Sequence, residues 1–110
     1  MHAPLNDKSN NLISMRELNM AKPNTIFINM GRGGIVNEAD LAEALDKGVI
    51  GGAVIDVYSK EPLPSDHPFM LLKNRDKVVM TPHVGWTSIE ARERLISIIA
   101  NNIGSHLDGV

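Results

Sequence analysis

TIFINMGRGGIVNEADLAEALDKGVIGGAVIDVYSKE, running from Thr25 to Glu61, decides the fold. Ile26, Phe27 and Ile28 make an apolar run too short for a helix, which reads as a strand buried on both faces. It ends at Asn29. Gly31, Gly33 and Gly34 then permit backbone angles that other residues resist, so the chain turns sharply while Arg32 is held outward. Asn37 is placed to cap a helix, Glu38 and Asp40 suit the positive end of its dipole, and Leu41, Ala44 and Leu45 share one face. Lys47-Gly48 closes that helix. A second apolar run, Ala53-Val54-Ile55, ends at Asp56, and Glu61-Pro62 follows in a loop.

Working outward, Met1 to Leu5 reads as the mouth of a strand whose body lies upstream. Ser14-Met15-Arg16-Glu17 fits a capping box that opens a short helix from about Met15 to Met20. Lys22-Pro23-Asn24 stops it, because proline lacks the backbone donor and biases its predecessor away from helix. Downstream, Tyr58 to Pro68 holds three of the six prolines and reads as an ordered, non-helical loop. Phe69 to Leu72 suits one turn of helix, and Lys77 to Thr81 a third short strand ending at Pro82-His83. Thr87-Ser88-Ile89-Glu90 is a second capping box. The helix it opens carries Leu95, Ile96, Ile99 and Ile103 at three- and four-residue spacing and ends near Ser105-His106.

Short apolar strands alternating with helices predict an α/β fold with a parallel sheet covered on both faces. About three strands with flanking helices make a partial doubly wound, Rossmann-like sheet, roughly half of a complete one. At 110 residues, without repeats or linkers, the chain reads as one domain. Eleven basic and 13 acidic side chains give a net charge of -2, which offers no field to gather nucleic acid or an anionic membrane. The expected partner is a small molecule or protein. There is no cysteine, so disulfides are excluded, and no apolar run approaches the length that spans a bilayer. A cytoplasmic protein is the default expectation.

In an open parallel sheet, ligands sit beyond the carboxyl ends of the strands. Arg32, Asp56 with Glu61, and His83 each fall just after a predicted strand, so they are expected to converge on one crevice. A carboxylate within reach of one imidazole nitrogen fixes the tautomer and leaves the other nitrogen to move a proton near neutrality. An Arg beside them can hold a substrate carboxylate at two points and polarise an adjacent carbonyl. Singly, each has a plainer role: Arg32 as a solvated or helix-capping cation, Glu61 as a loop carboxylate, His83 as a structural hydrogen-bonder, Asp56 as a cap on the loop after its strand. Their joint placement is what points to chemistry. The turn at Gly31 to Gly34 matches neither G-x-G-x-x-G nor a P-loop, so it is not read as a phosphate cradle. The four histidines show no ligand-like clustering, and no metal site is expected. Trp86 reads as a core aromatic or as part of the crevice wall.

His2-Ala3-Pro4-Leu5, Asn29 to Glu38, Asp56-Val57 with Glu61-Pro62, and Thr81-Pro82-His83 together resemble the D-isomer-specific 2-hydroxyacid dehydrogenases, over nearly the whole chain. Trp86 and Glu90-Ala91-Arg92 look most like the glycerate dehydrogenase (hydroxypyruvate reductase) branch. The resemblance implies hydride transfer between NAD and a small 2-keto or D-2-hydroxy acid, with NADP left open. Arg32 would bind the substrate carboxylate and carbonyl, His83 would protonate the carbonyl oxygen, and Glu61 would orient and charge His83. Asp56 would hydrogen-bond the nicotinamide side, with Ala3, Met30, Gly31, Arg32, His83 and Gly85 completing the cofactor-lining set. In the family, a dinucleotide fingerprint and most of a substrate domain lie upstream of the matched part. Residues 1–110 therefore read as the C-terminal part of an NAD-binding domain that binds cofactor weakly by itself and forms a homo-oligomer. A reading from another class is a non-enzymatic half-domain that oligomerises through its exposed sheet edge and apolar faces.

Overall fold

Glu38 to Lys47 is the one segment with both ends capped and an apolar face complete enough to organise a core. In the computed structural model, which describes residues 1–110, it is helix α2 (Glu38–Lys47), and the Asn37 side chain accepts the Asp40 amide at 3.0 Å. Leu41, Ala44 and Leu45 are fully buried against Ile50, Ala53, Ile55, Phe69 and Leu72. The other elements are α1 (Met15–Leu18), strands β1 (Ile26–Asn29), β2 (Gly52–Ile55) and β3 (Val78–Met80), 3₁₀ turns at Pro68–Leu71 and Arg75–Lys77, and helix α3 (Ile89–Leu107). The strands pair in parallel in the order β1-β2-β3, with Ile28, Val54 and Val79 in register. This is the α/β, partial doubly wound sheet that the alternation of runs predicts.

Coverage of the sheet differs from expectation. The face bearing Ala53 and Ile55 packs on α2, whereas the face bearing Ile26, Ile28, Val54 and Val79 has no helix over it: Ile28 is 48% and Val79 58% exposed. Continuous apolar character is shared by strands covered once and strands covered twice, so the run itself could not decide. Nor does α3 supply the missing layer. It has no buried residue, Ile96 is 66% exposed, and the molecule extends 58 Å along its longest axis against 27 and 26 Å across.

Local boundaries shift by a residue or two. α1 ends at Leu18, earlier than Met20; the Glu17 carboxylate accepts both the Ser14 amide and hydroxyl, at 2.9 and 2.7 Å. Lys77 lies in a 3₁₀ turn, so β3 begins at Val78. The cap of α3 is Ser88, whose hydroxyl accepts the Ala91 amide at 3.2 Å, while Thr87 turns back to donate to the Val84 carbonyl. Of the three glycines after β1 only Gly34 has a positive φ, of 82°. Gly33 answers to space: a Cβ there would lie 1.9 Å from the Tyr58 carbonyl carbon. No helix is long and apolar enough to cross a membrane.

Because the core lies under α2 and α3 contributes nothing to it, truncations on the two helices should diverge. Leu45→Ala is expected to destabilise the chain by about 2–5 kcal/mol, and Ile96→Ala by less than about 0.5 kcal/mol, both measured by urea denaturation. Equal losses would mean that α3 is packed.

Candidate active site

The three strands end in three polar residues with different tasks. Asn29, buried at the end of β1, shapes the turn that follows: its Oδ1 accepts the Gly31 amide at 3.1 Å and its Nδ2 donates to the Arg32 carbonyl at 3.0 Å. Arg32 is left with one hydrogen bond, from Nη1 to the Gly31 carbonyl at 2.9 Å, and pairs with no carboxylate of the chain. A guanidinium without a partner carboxylate, held on a shaped turn, is free to receive an anion at two points.

Asp56 follows β2 and is 1% exposed. Its Oδ1 accepts the Thr81 hydroxyl at 2.5 Å and the Val84 amide at 2.8 Å, and its Oδ2 accepts the Gly85 amide at 2.9 Å. Burial pushes the carboxyl pKa up, but the donors from Thr81, Val84 and Gly85, helped by the charge of His83, more than offset it and hold it below the ordinary value. The residue is therefore a buried carboxylate that grips the segment after β3 on both sides of His83. That grip has a local use. His83 has φ of 57°, a left-handed conformation that costs an L residue about 1 kcal/mol and persists where the surroundings impose it.

His83 Nδ1 lies 2.9 Å from Glu61 Oε2, and Glu61 Oε1 accepts the Tyr58 amide at 3.0 Å. These bonds, the one from His83 foremost, hold the Glu61 carboxyl below the usual carboxylate range, so Nδ1 carries the shared proton and Nε2 is free. The Tyr58 hydroxyl donates toward the Ile55 and Thr81 carbonyls at 3.2 and 3.0 Å, tying the ends of β2 and β3 together. Burial, followed by the charges of Asp56, Glu61 and Glu38, raises its pKa.

Three adjoining clefts surround these groups where one crevice was expected. Met30, Arg32, Asp56, His83 and Gly85 line a cleft of about 460 Å³, together with His2 and Trp86. Ala3, Met30, Gly31 and Arg32 line a second of about 460 Å³ that shares His2, Met30 and Arg32 with the first. Glu61 belongs to neither, and lines a third of about 420 Å³ with His83, Met70 and Met80. Every residue expected to line a cofactor thus faces the paired clefts, and His83 stands between Arg32 and Glu61. His2 and Thr81 belong to the motifs quoted for the resemblance without a role of their own; the structure puts His2 in the wall of both paired clefts and the Thr81 hydroxyl on Asp56, and a hydroxyl one residue after β3, beside a carboxylate one residue after β2, is the signal for Thr81. No group of three or more His, Asp or Glu is arranged to hold a metal ion.

Residues 1–85 match the family model for the D-isomer specific 2-hydroxyacid dehydrogenase, NAD binding domain. The chain belongs to this family. Among relatives of the dehydrogenase family, it is 42% identical over 106 residues to glyoxylate/hydroxypyruvate reductase B of Pectobacterium carotovorum, covering 96% of this chain and 32% of that protein. It is 38% identical over 109 residues to the glycerate dehydrogenase of Methylorubrum extorquens, covering 99% and 34%. The crystal structure of an NADPH-dependent glyoxylate/hydroxypyruvate reductase from Sinorhizobium meliloti, in complex with NADP and sulfate, superposes with a TM-score of 0.81 at 30% identity, covering 99% of this chain and 34% of that one. The chain spans about a third of the length of these dehydrogenases.

Asp56→Asn keeps one acceptor but turns an amide donor toward Gly85, and should cost about 1–3 kcal/mol at neutral pH. Since the folded-state pKa lies below the ordinary 3.8, the stabilisation by Asp56 is complete above about pH 5 and lost as pH falls through the lowered value. Urea denaturation of both proteins down the pH scale should show their difference constant above about pH 5 and shrinking below about pH 4. A difference that holds steady into acid would show that Asp56 is not ionised in the fold.

Proposed function

We propose that residues 1–110 form the C-terminal part of the NAD-binding domain of a reductase for small 2-keto acids, with glyoxylate and hydroxypyruvate as substrates and NAD or NADP as cofactor. The observation that carries this reading is the 2.9 Å His83–Glu61 pair in a chain whose cleft sets the same imidazole beside the unpaired guanidinium of Arg32. Arg32 binds the substrate carboxylate and polarises the neighbouring carbonyl. His83 Nε2 gives its proton to the carbonyl oxygen, and Glu61 holds the ring with Nδ1–H inward and stabilises the imidazolium before transfer. In the oxidative direction the same nitrogen takes the alcohol proton.

The paired clefts fit the nicotinamide end of a dinucleotide: their walls include Ala3, Gly31 and Gly85, and a Cβ at Gly85 would fall 2.7 Å from Met30 Cε and 3.0 Å from Asp56 Oδ2. NAD(H), if held by these walls, would supply the hydride. The pyrophosphate end lacks its usual anchor, since no G-x-G-x-x-G turn with a helix behind it occurs in the chain. The 110 residues alone are therefore expected to bind cofactor weakly and turn over little substrate.

A second reading, a self-associating module, is favoured by the bare sheet face and by α3, whose apolar side chains are all exposed. It is compatible with the first, as a homo-oligomeric enzyme. Sedimentation of the 110-residue chain at micromolar concentration checks it, and a monomer throughout would remove it.

The enzymatic reading is tested by replacing the matched third of the Pectobacterium reductase with this chain and following NADH or NADPH oxidation with glyoxylate and hydroxypyruvate. The chimera should be active, and Arg32→Gln, Glu61→Gln and His83→Gln should each lower kcat/KM by roughly 10²–10⁴-fold without changing its assembly. Full turnover by the His83→Gln chimera would defeat the assignment.

A further inference from the structure

Of the ionisable pairs outside the clefts, one is withdrawn from solvent, and the chemistry above does not use it. Glu38 opens α2, where the helix dipole favours a carboxylate, and pairs with His67 with the two side chains only 9% and 8% exposed. Glu38 Oε1 accepts the Ser59 amide at 2.7 Å; Oε2 accepts the Ser59 hydroxyl at 2.6 Å and faces His67 Nε2 at 2.8 Å. His67 Nδ1 accepts the Phe69 amide at 3.2 Å, so the ring's proton is on Nε2 and points at Glu38. The ring is packed edge-on to Tyr58 and against buried Phe69, with centroids 6.5 and 5.0 Å away.

One carboxylate thus holds both ends of the segment from Ser59 to His67, and Glu61 lies between them, two residues from the first tie. The backbone of Tyr58 and Ser59 is pressed on its other side against Gly33, next to Arg32. Loops of this length, without regular structure, owe their position to such ties.

We propose that Glu38 and His67 are positioning residues for the His83–Glu61 pair: the buried carboxylate fixes the loop that delivers Glu61, and so sets which nitrogen of His83 is left free. This rests on the dehydrogenase reading for its purpose, though not for its test. Glu38→Gln leaves one acceptor oxygen where the carboxylate had two, so its amide NH2 is turned against a donor, either the Ser59 N–H or the His67 Nε2–H. In either orientation the loop loses one of its ties to α2.

The test is nitrogen NMR of the 110-residue chain at a pH where His83 is neutral. In the parent chain, His83 Nδ1 should be protonated and Nε2 bare. In Glu38→Gln the two nitrogens should move toward averaged tautomers, and the Tyr58 amide, which donates to Glu61, should exchange about tenfold faster, as the loss of one hydrogen bond allows. His67→Gln keeps a donor for Glu38 and should stay near the parent pattern. A folded Glu38→Gln chain with unchanged His83 nitrogens and Tyr58 exchange would overturn the proposal. Should that variant not fold, Ser59→Ala, which deletes one hydroxyl, is read on the same two signals: a shift in the same direction supports the proposal and none overturns it. An unresponsive His83 would defeat the positioning role alone, whereas full turnover by the His83→Gln chimera would defeat the dehydrogenase reading alone.

Discussion

A buried carboxylate is tolerable when its lone pairs are filled, and Asp56 fills its own from Thr81, Val84 and Gly85. That requirement organises the rim that bears His83. A parallel sheet leaves its strand ends without ladder partners, and the chain leaving β3 would be free to wander at the point where His83 must be held. With Asp56 gripping one residue two positions before the histidine and the two residues after it, the left-handed turn at His83 is imposed from both sides. Charge-assisted bonds of this kind are stronger than neutral ones and work at full strength out of water, so the strain at one residue is easily offset. The plainer role weighed for Asp56, capping the segment beyond its strand, is what the side chain does; lining a cleft is compatible with it through the one edge of the carboxylate that faces Gly85.

The remaining two members of the trio depend on their own supports, and these touch. Arg32 stands on a turn shaped by the Asn29 amide, while Glu61 stands on a loop bonded to Glu38 at the head of α2. The contact between them is Gly33 against Tyr58 and Ser59, closer than any side chain would permit. A displacement of the loop therefore reaches the Arg32 turn directly through backbone. His83, bonded to Glu61 on one side and sharing a cleft with Arg32 on the other, is set by both.

Much of this was legible in the sequence. Asn37 as cap, Gly48 as stop and the Leu41, Ala44, Leu45 face follow from local rules that tertiary context did not disturb. Arg32, Glu61 and His83 stood out because charged residues directly after short apolar runs land on one rim of a parallel sheet, whatever the details of packing. What was hidden depends on partners distant along the chain. Nothing near Glu38 signals His67, 29 residues on, nor does Asp56 signal Thr81, 25 residues on. The choice between Thr87 and Ser88 as cap turned on a single residue of register. The uncovered sheet face was hidden for another reason: an apolar strand records that something apolar suits it, without saying whether that something is in the same 110 residues.

The uncovered face also separates two properties that usually travel together. The core beneath α2 secures β2, Phe69 and Leu72, and through them the loops bearing Glu61 and His83, all on the covered side and at the rim. Ile26, Ile28, Val79 and the whole apolar surface of α3 lie outside that core. The arrangement of His83 and Glu61 can therefore be built from local packing and a handful of hydrogen bonds, while about 30 Å of amphipathic helix is left for contacts beyond the core. On the proposed reductase reading, turnover would need both: the rim orders an arginine, a carboxylate and an imidazole, and the exposed surfaces, once covered, would exclude water and hold a dinucleotide.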